Sequence, residues 1–185
     1  MKIETVSAAF DANEKAHQKF ETVVRSLNDD LAERQFEGEK WSIALIVEHL
    51  ALVEDAMSRI CAKLLSKAEA GGKASDGGIE ISPEFYSKGE EITQIKLEAP
   101  ERVHPAGGKS ISESLAMMDE SRERFEQMRP AFEEYDCREH KFPHPFFGDL
   151  SAAEWLVLTG GHKVRHLRQI QKLVEKSESP GQLEG

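Results

Sequence analysis

Two histidines one helical turn apart are the strongest chemical signal in the sequence. His162 and His166 lie in the segment EWLVLTGGHKVRHLRQIQKL, which has the apolar spacing of a helix that packs on a core. Because residues at i and i+4 lie one above the other on a helix, both rings can reach one point in space. Two neutral imidazoles in a dry interior each need a polar partner, and a single metal ion satisfies both. The pair therefore indicates a metal site.

A third histidine occupies the core-facing side of another predicted helix. His49 lies in WSIALIVEHLALVEDAM and has apolar residues three and four positions away on both sides, so its ring faces the core. Taken alone, such a histidine is more often a packed ring with one satisfied hydrogen bond. Together with His162 and His166 it predicts a three-histidine site that keeps at least one coordination position open, as catalytic sites do. Imidazole ligands favour one divalent ion, Zn²⁺ first and Ni²⁺ next.

Four long helical patterns would hold these residues. Their approximate bounds are 6–27, 42–70, 110–135 and 151–175. Ser42 is the expected N-cap of the second helix, and a Ser-x-x-Glu capping box opens both the third and the fourth. Pro130 predicts a kink or an early end in the third helix.

The lengths of the connectors predict the order of the helices. Short links favour antiparallel neighbours, whereas the long segment 71–109 can return the chain across the whole bundle. We therefore predict an all-α four-helix bundle in up-down-down-up order, with simple up-and-down order as the alternative. The long connector is expected to hold a short helix after Ser82 and a strand-like stretch, 92–98. The domain is expected to span residues 1–175, followed by a flexible tail, 176–185.

The composition of the chain excludes several functional classes. It has 185 residues, enough for one domain with a sizeable core. Its 24 basic and 34 acidic residues give a formal charge of −10, which argues against nucleic acid as a partner. No apolar run is long enough to cross a membrane, and acidic residues stand where a signal peptide needs an apolar block. Two cysteines in no C-x-x-C arrangement fit a cytoplasmic location.

Other polar residues near the three histidines have weaker assignments. Gln169 either orients a ligand or packs at the bundle seam. Glu48 is expected to be solvated, whereas Glu54 and Asp55 are minor candidates for a fourth ligand. His17 is expected to be a packed histidine of the first helix.

Two further groups of residues have structural or solvent-exposed interpretations. His144 lies in the proline-constrained segment KFPHPFFGDL, which we interpret as a structural turn at the end of the bundle. A basic cluster surrounds the histidine pair and consists of Lys163, Arg165, Arg168 and Lys172. We interpret it as a solvated helix face, with attraction of a small anion as the alternative.

Three blocks of this sequence resemble the DinB/YfiT-like metalloenzyme family. They are WSIALIVEHL at 41–50, HPFFGDLSAAEWL at 144–156 and HKVRHLRQI at 162–170. The likeness extends from about residue 5 to residue 175, and the His-x-x-x-His-x-x-Gln-Ile pattern is its most specific part. The resemblance implies a four-helix bundle that holds one metal on His49, His162 and His166. It implies neither polymerase activity nor DNA binding, and it suggests a homodimer.

The resemblance also implies a class of chemistry. Relatives include enzymes that use a small cellular thiol, such as bacillithiol or mycothiol, in S-transfer or isomerisation. We therefore expect an S-transferase-like enzyme whose partners are a small-molecule thiol and an electrophilic substrate. The alternatives are a hydrolase that uses metal-bound hydroxide and a non-catalytic, stress-related metal-binding protein.

Overall fold

Six α-helices and one two-stranded hairpin make up the part of the chain that the structure describes. The computed structural model describes residues 2–93, 95 and 98–178. The helices are α1 (Val6–Arg25), α2 (Asp29–Glu33), α3 (Ile43–Gly71), α4 (Pro83–Glu91), α5 (Ile111–Glu134) and α6 (Ala152–Glu178). The strands β1 (Lys141–His144) and β2 (Gly148–Ser151) pair antiparallel between α5 and α6. Within these residues, no helix is both long and apolar enough to cross a membrane.

The predicted caps set the ends of the long helices. The Ser42 side chain accepts a hydrogen bond from the backbone N–H of Leu45, and Gly72 ends α3 in the left-handed conformation. Ser110 and Glu113 form a reciprocal capping box at the start of α5. Ser151 and Glu154 exchange the same kind of bonds where β2 passes into α6. Each box satisfies backbone N–H groups that a helix start leaves without partners.

The long connector lets α3 and α5 run in the same direction. Residues early in both helices share one core cluster, and residues later in both helices share a second. The early cluster includes Ile46, Leu50, Leu115 and Met118, and the later one includes Leu64, Leu65, Phe125 and Phe132. α6 runs against α3, because Met57 contacts Thr159 whereas Cys61, further along α3, contacts the carbonyl of Ala152 at the start of α6.

α1 completes the bundle and runs parallel to α6. Asn13 donates a hydrogen bond to the carbonyl of Leu156, and one turn further along, His17 meets Lys163. The order is therefore up-down-down-up, as predicted, and the up-and-down alternative is wrong. Because α3 and α6 are antiparallel neighbours, a residue early in α3 lies at the level of the middle of α6.

The third long helix passes through its proline and ends close to the predicted residue 135, so only the early end expected at Pro130 is wrong. α5 does not end early at Pro130 but continues to Glu134. Phe132, which is buried and packs edge-on against Phe10 at 5.9 Å, anchors the last turn. A proline inside a helix costs about 3 kcal/mol through a lost hydrogen bond and a steric clash, and the burial of Phe132 acts against that cost.

The long connector and the C-terminal end of the chain can also be compared with the predictions. The short helix after Ser82 is confirmed as α4. The described residues of the strand-like stretch form a turn and a bend rather than a strand, and residues 94, 96 and 97 lie outside the described part of the chain. α6 continues to Glu178, three residues beyond the approximate end predicted for the fourth helix. Residues 179–185 of the expected tail lie outside the described residues.

Candidate metal centre

The three predicted histidines converge in the interior of the bundle. His49 comes from the second turn of α3, and His162 and His166 come from the middle of α6. One ring nitrogen from each histidine lies within 4.8 Å of the others. The Nε2 atoms of His162 and His166 are 3.2 Å apart. The antiparallel packing of α3 on α6 brings these positions to one level, so the juxtaposition follows from the helix order.

Hydrogen bonds fix the tautomers of two of the rings. The Nδ1–H of His49 donates to the carbonyl of Val103 at 2.8 Å, and the Nδ1–H of His166 donates to Oε1 of Gln169 at 2.9 Å. In a neutral ring the other nitrogen, Nε2, then carries a lone pair. Two of the three histidines are therefore held in the tautomer that a metal ligand needs.

His162 is the ring whose polar atoms are least satisfied by the protein. Its Nδ1 is buried and has no hydrogen-bond partner among the described residues. Its Nε2 faces the Nε2 of His166. A buried polar atom without a partner is uncommon in folded proteins and requires an explanation. A metal ion bound between the rings would engage the two facing Nε2 atoms, but it would not supply a partner for Nδ1 of His162.

All three rings are neutral at pH 7. Burial lowers the pKa of His49. Burial also lowers the pKa of His162 well below its usual value, and the neighbouring His166 and His49 add to that effect. Burial, with smaller contributions from His49 and Arg165, lowers the pKa of His166 to about 3. Because metals bind neutral imidazole, this donor set fits a divalent ion without any prior loss of protons.

A loop between α4 and α5 supplies the hydrogen-bond partner of His49, so this contact comes from outside α3 and α6. The carbonyl of Val103, which accepts from His49, belongs to a short 3₁₀ turn, Glu101–Val103. The carboxylate of Glu48 accepts hydrogen bonds from the backbone N–H groups of Ala106 and Gly107, which ties down the chain just after that turn. The prediction that Glu48 is solvated is wrong, since only 2% of the residue is exposed. Its helix position faces this loop, which the sequence did not reveal.

A cavity of about 250 Å³ opens beside the three histidines. Its walls are mostly apolar and aromatic, and the apolar residues include Val53, Met57, Ile60, Phe146, Trp41 and Trp155. The polar side chains in the lining, besides the three histidines, are Glu98, Arg102, His144 and Arg165. A mostly apolar pocket with a few convergent polar groups is the usual form of a small-molecule site.

The basic cluster around the histidine pair is not a uniform solvated face. Lys163 points into the bundle, where its Nζ lies 2.9 Å from Oε1 of Glu54 and 3.0 Å from Nδ1 of His17. Arg165 is half-buried in the cavity wall, and only Arg168 and Lys172 are exposed. The prediction was wrong for Lys163 because a lysine rarely lies on a core-facing position unless it is paired.

The remaining candidates separate into two groups. Glu54 and His17 belong to the buried network around Lys163, so His17 is a packed histidine as predicted. Asp55 pairs with Arg59 and Arg124 on the other side of α3.

His144 lies in the predicted structural turn. It also lines the cavity, which the sequence did not predict. Arg165 was also missed as a cavity residue. Its position three residues after His162, on the same helix face, is the signal that could have identified it.

Comparison with known proteins places the chain in a family. A sequence model of the DinB superfamily matches residues 12–170, which include all three histidines. The uncharacterized protein YuaE of Bacillus subtilis (strain 168) is 28% identical over 159 residues, covering 84% of this chain and 90% of its own. The crystal structure of TT2238, a four-helix bundle protein, aligns with 91% of this chain and 99% of its own at a TM-score of 0.62 and 21% identity. That last likeness supports the fold alone, whereas the sequence match shows that the chain belongs to the DinB superfamily.

Proposed function

We propose that this protein is a metal-dependent enzyme that activates a small thiol for attack on an electrophilic substrate. The observation that carries the proposal is the convergence of three neutral histidine rings, two of them held with their Nε2 lone pairs available, at one side of a mostly apolar cavity. Three neutral ligands leave coordination positions open, as in catalytic rather than structural sites.

His49, His162 and His166 would hold the ion, with Zn²⁺ as first choice and Ni²⁺ as second. When bound, such an ion is a Lewis acid that lowers the pKa of a coordinated thiol and so favours its nucleophilic form near pH 7. The protein contributes the orientation of the rings, because Val103 and Gln169 accept their Nδ1–H groups. Outer hydrogen bonds of this kind commonly set both metal affinity and ligand geometry.

The cavity would hold the electrophile against the thiol and exclude water. Met57, Val53 and Trp155 supply apolar wall next to the histidines, and a dry site favours thiol attack over hydrolysis. In the reaction, the sulfur forms a bond to the electrophilic carbon while the leaving group departs with its electron pair. The proton of the thiol passes to solvent when the thiolate forms. The net change is one S–H and one carbon–leaving-group bond replaced by one C–S bond.

The first test is the metal content of protein purified without a metal-affinity tag. We expect about one equivalent of a divalent metal per chain, lost in His49→Ala and in the double variant His162→Ala/His166→Ala. His140→Ala is the matched control, because His140 is half-buried but does not belong to the three-histidine cluster. A parent protein that holds no metal and takes up none from Zn²⁺ or Ni²⁺ solutions would overturn the proposal.

The second test separates thiol transfer from hydrolysis. The metal-loaded protein is incubated with monochlorobimane, whose chlorine is displaced by thiols, in the presence and absence of cysteine. We expect formation of the fluorescent thioether to be accelerated only when thiol, metal and all three histidines are present. Acceleration of ester hydrolysis without thiol would favour a hydrolase. Metal bound tightly with neither activity would favour a metal-binding protein that is not an enzyme.

A further inference from the structure

The cavity beside the three histidines has positive charge that its own lining does not balance. The guanidinium groups of Arg102 and Arg165 both line it. Among the described residues, neither arginine has an ion-pair partner, and the one carboxylate of the lining, Glu98, is paired with Lys40 at the surface. Arg165 is half-buried in the cavity wall. A partly desolvated guanidinium without a partner is unfavourable unless a ligand supplies the anion.

His144 adds a hydrogen-bond donor to the same lining. Its Nδ1 accepts the backbone N–H groups of Phe146 and Phe147, both at 3.1 Å, so this nitrogen carries the lone pair. The ring is neutral at pH 7, because burial and the nearby Arg102 lower its pKa to about 4. Its proton is therefore on Nε2, which has no partner among the described residues. This tautomer is the reverse of that of His49, so His144 offers a donor where the cluster offers lone pairs.

The charge of the proposed metal centre leads to the same expectation. Three neutral imidazoles leave the full charge of a divalent ion in place, and Arg165 directly precedes His166 and lines the same cavity. One thiolate would balance only part of this positive charge. A ligand with a second anionic group would balance more of it.

We propose that Arg165 and His144 form a carboxylate-binding subsite, so that the ligand of this cavity has a carboxylate end as well as the group that reacts. This inference rests on the proposed function for the reacting group, but the subsite itself is made only of residues outside the three-histidine cluster. The planar guanidinium of Arg165 can donate two parallel hydrogen bonds to a carboxylate, and His144, in the same cavity lining, offers its Nε2–H as a further donor. Arg102, at the exposed edge, contributes positive charge at the entrance.

Three small probes of nearly equal length test the subsite on the protein as purified, with its metal content recorded. They are 3-mercaptopropionate, 3-mercapto-1-propanol and propionate. Binding is measured by intrinsic fluorescence, because the chain has two tryptophans and both Trp41 and Trp155 line the cavity. The first two probes differ in the carboxylate, whereas the first and third differ in the thiol. The two comparisons therefore test this inference and the proposed function separately.

We expect 3-mercaptopropionate to bind at least about tenfold more tightly than 3-mercapto-1-propanol. Arg165→Gln should bring that ratio close to one, with little change for 3-mercapto-1-propanol. His144→Asn, which keeps an acceptor for the two backbone N–H groups but removes the Nε2–H donor, should reduce the ratio about fivefold. Arg168→Gln removes the same charge from an exposed position on the same helix and should leave the ratio unchanged.

Two results would overturn the carboxylate subsite. One is equal affinity for the acid and the alcohol, or no binding of either at millimolar concentration. The other is a carboxylate preference that survives in Arg165→Gln, since another group would then supply it. If instead the carboxylate preference is present and depends on Arg165, but propionate binds as well as 3-mercaptopropionate, the subsite stands and the thiol-activating function fails.

Discussion

Nζ of Lys163 lies 2.9 Å from Oε1 of Glu54 in the centre of the bundle, where only 3% and 2% of the two side chains are exposed. Burial raises the pKa of Glu54, and the charge of Lys163 opposes that effect. His17 lies on the other side of the ammonium group and accepts from it through Nδ1. Lys163, Glu54 and His17 thus join α6, α3 and α1 next to the helix turn that carries His162.

Removing one member of this pair should be far more damaging than removing both. Lys163→Met leaves Glu54 buried without its partner, and we expect the free energy of unfolding to fall by about 3–5 kcal/mol. The double variant Lys163→Met/Glu54→Leu should be much closer to the parent, because two apolar side chains replace the two charges. Urea denaturation of the parent, Lys163→Met, Glu54→Leu and the double variant gives the coupling energy. Lys172→Met, at an exposed position of α6, is the control and should change stability little. A cost below about 1 kcal/mol for Lys163→Met would contradict the assignment of the pair as buried and coupled.

The two adjacent glycines of α6 should respond in opposite directions to alanine. A Cβ at Gly160 would lie 2.2 Å from Oδ1 of Asn13, whereas a Cβ at Gly161 would meet nothing within 4 Å. Asn13 cannot move away freely, because its Nδ2 donates to the carbonyl of Leu156 at 2.9 Å. We expect Gly160→Ala to destabilise the protein by about 1–3 kcal/mol through overpacking. Gly161→Ala should stabilise it by up to about 1 kcal/mol through helix propensity.

Thermal or urea unfolding of the two glycine variants makes the comparison, and a third variant identifies its cause. Asn13→Ala removes the clashing atoms, so it should recover part of the stability lost in Gly160→Ala when the two changes are combined. Equal effects of the two glycine substitutions would mean that α1 does not approach α6 as closely as the structure has it.

The sequence predicted the parts of this fold that depend on local patterns. Helical spacing and capping boxes identified the four long helices. The i, i+4 spacing of His162 and His166 predicted that both side chains lie on the same face of α6. The length of the connector was sufficient to predict that α3 and α6 are antiparallel, which brings His49 to the level of the pair. These properties depend only on neighbours in the chain or on chain length.

Features that depend on distant contacts were not predictable in the same way. Glu48 is buried because its carboxylate accepts from a loop 58 residues further along the chain. Lys163 is buried because Glu54 and His17 arrive from two other helices. No sequence spacing connects Glu48 or Lys163 to the groups that pair with them. Glutamate and lysine side chains are also usually exposed in folded proteins. The sequence indicates only a turn at His144, because the tautomer that makes its ring a donor depends on backbone N–H groups whose positions only the folded turn fixes.

The buried His17 should make the protein less stable in mild acid. Burial, with the charges of Lys163 and Arg122, lowers the pKa of His17 to about 4, although Asp119 and Glu21 act in the opposite direction. In the unfolded chain a histidine has a pKa near 6.5. Between these two values the unfolded state binds more protons, so the free energy of unfolding falls as the pH is lowered from about 6.5 to about 4. Above about pH 6.5 the contribution is fully present.

His17→Asn tests this assignment, because asparagine offers Lys163 an acceptor but does not titrate in this range. Urea midpoints measured at pH 7 and at pH 4.5 should differ less in His17→Asn than in the parent. His140→Asn removes a half-buried histidine outside the bundle helices and should keep the dependence of the parent. An unchanged pH dependence in His17→Asn would assign the loss of stability in acid to other groups.

Gln169 should control how tightly the proposed site holds its metal. Its Oε1 accepts the Nδ1–H of His166 at 2.9 Å and so keeps the lone pair on the Nε2 that faces His162. Gln169→Leu removes that acceptor, and we expect the affinity for Zn²⁺ to fall about 10–100-fold, as for other groups that orient a metal ligand. Gln169→Glu keeps an acceptor and should retain the affinity of the parent or exceed it. Competition with a chromophoric chelator measures the three affinities, and Gln171→Leu, at an exposed position of the same helix, is the control. If Gln169→Leu and Gln171→Leu bind Zn²⁺ equally well, the hydrogen bond to His166 does not orient a ligand, and Gln169 is a packing residue of the bundle seam.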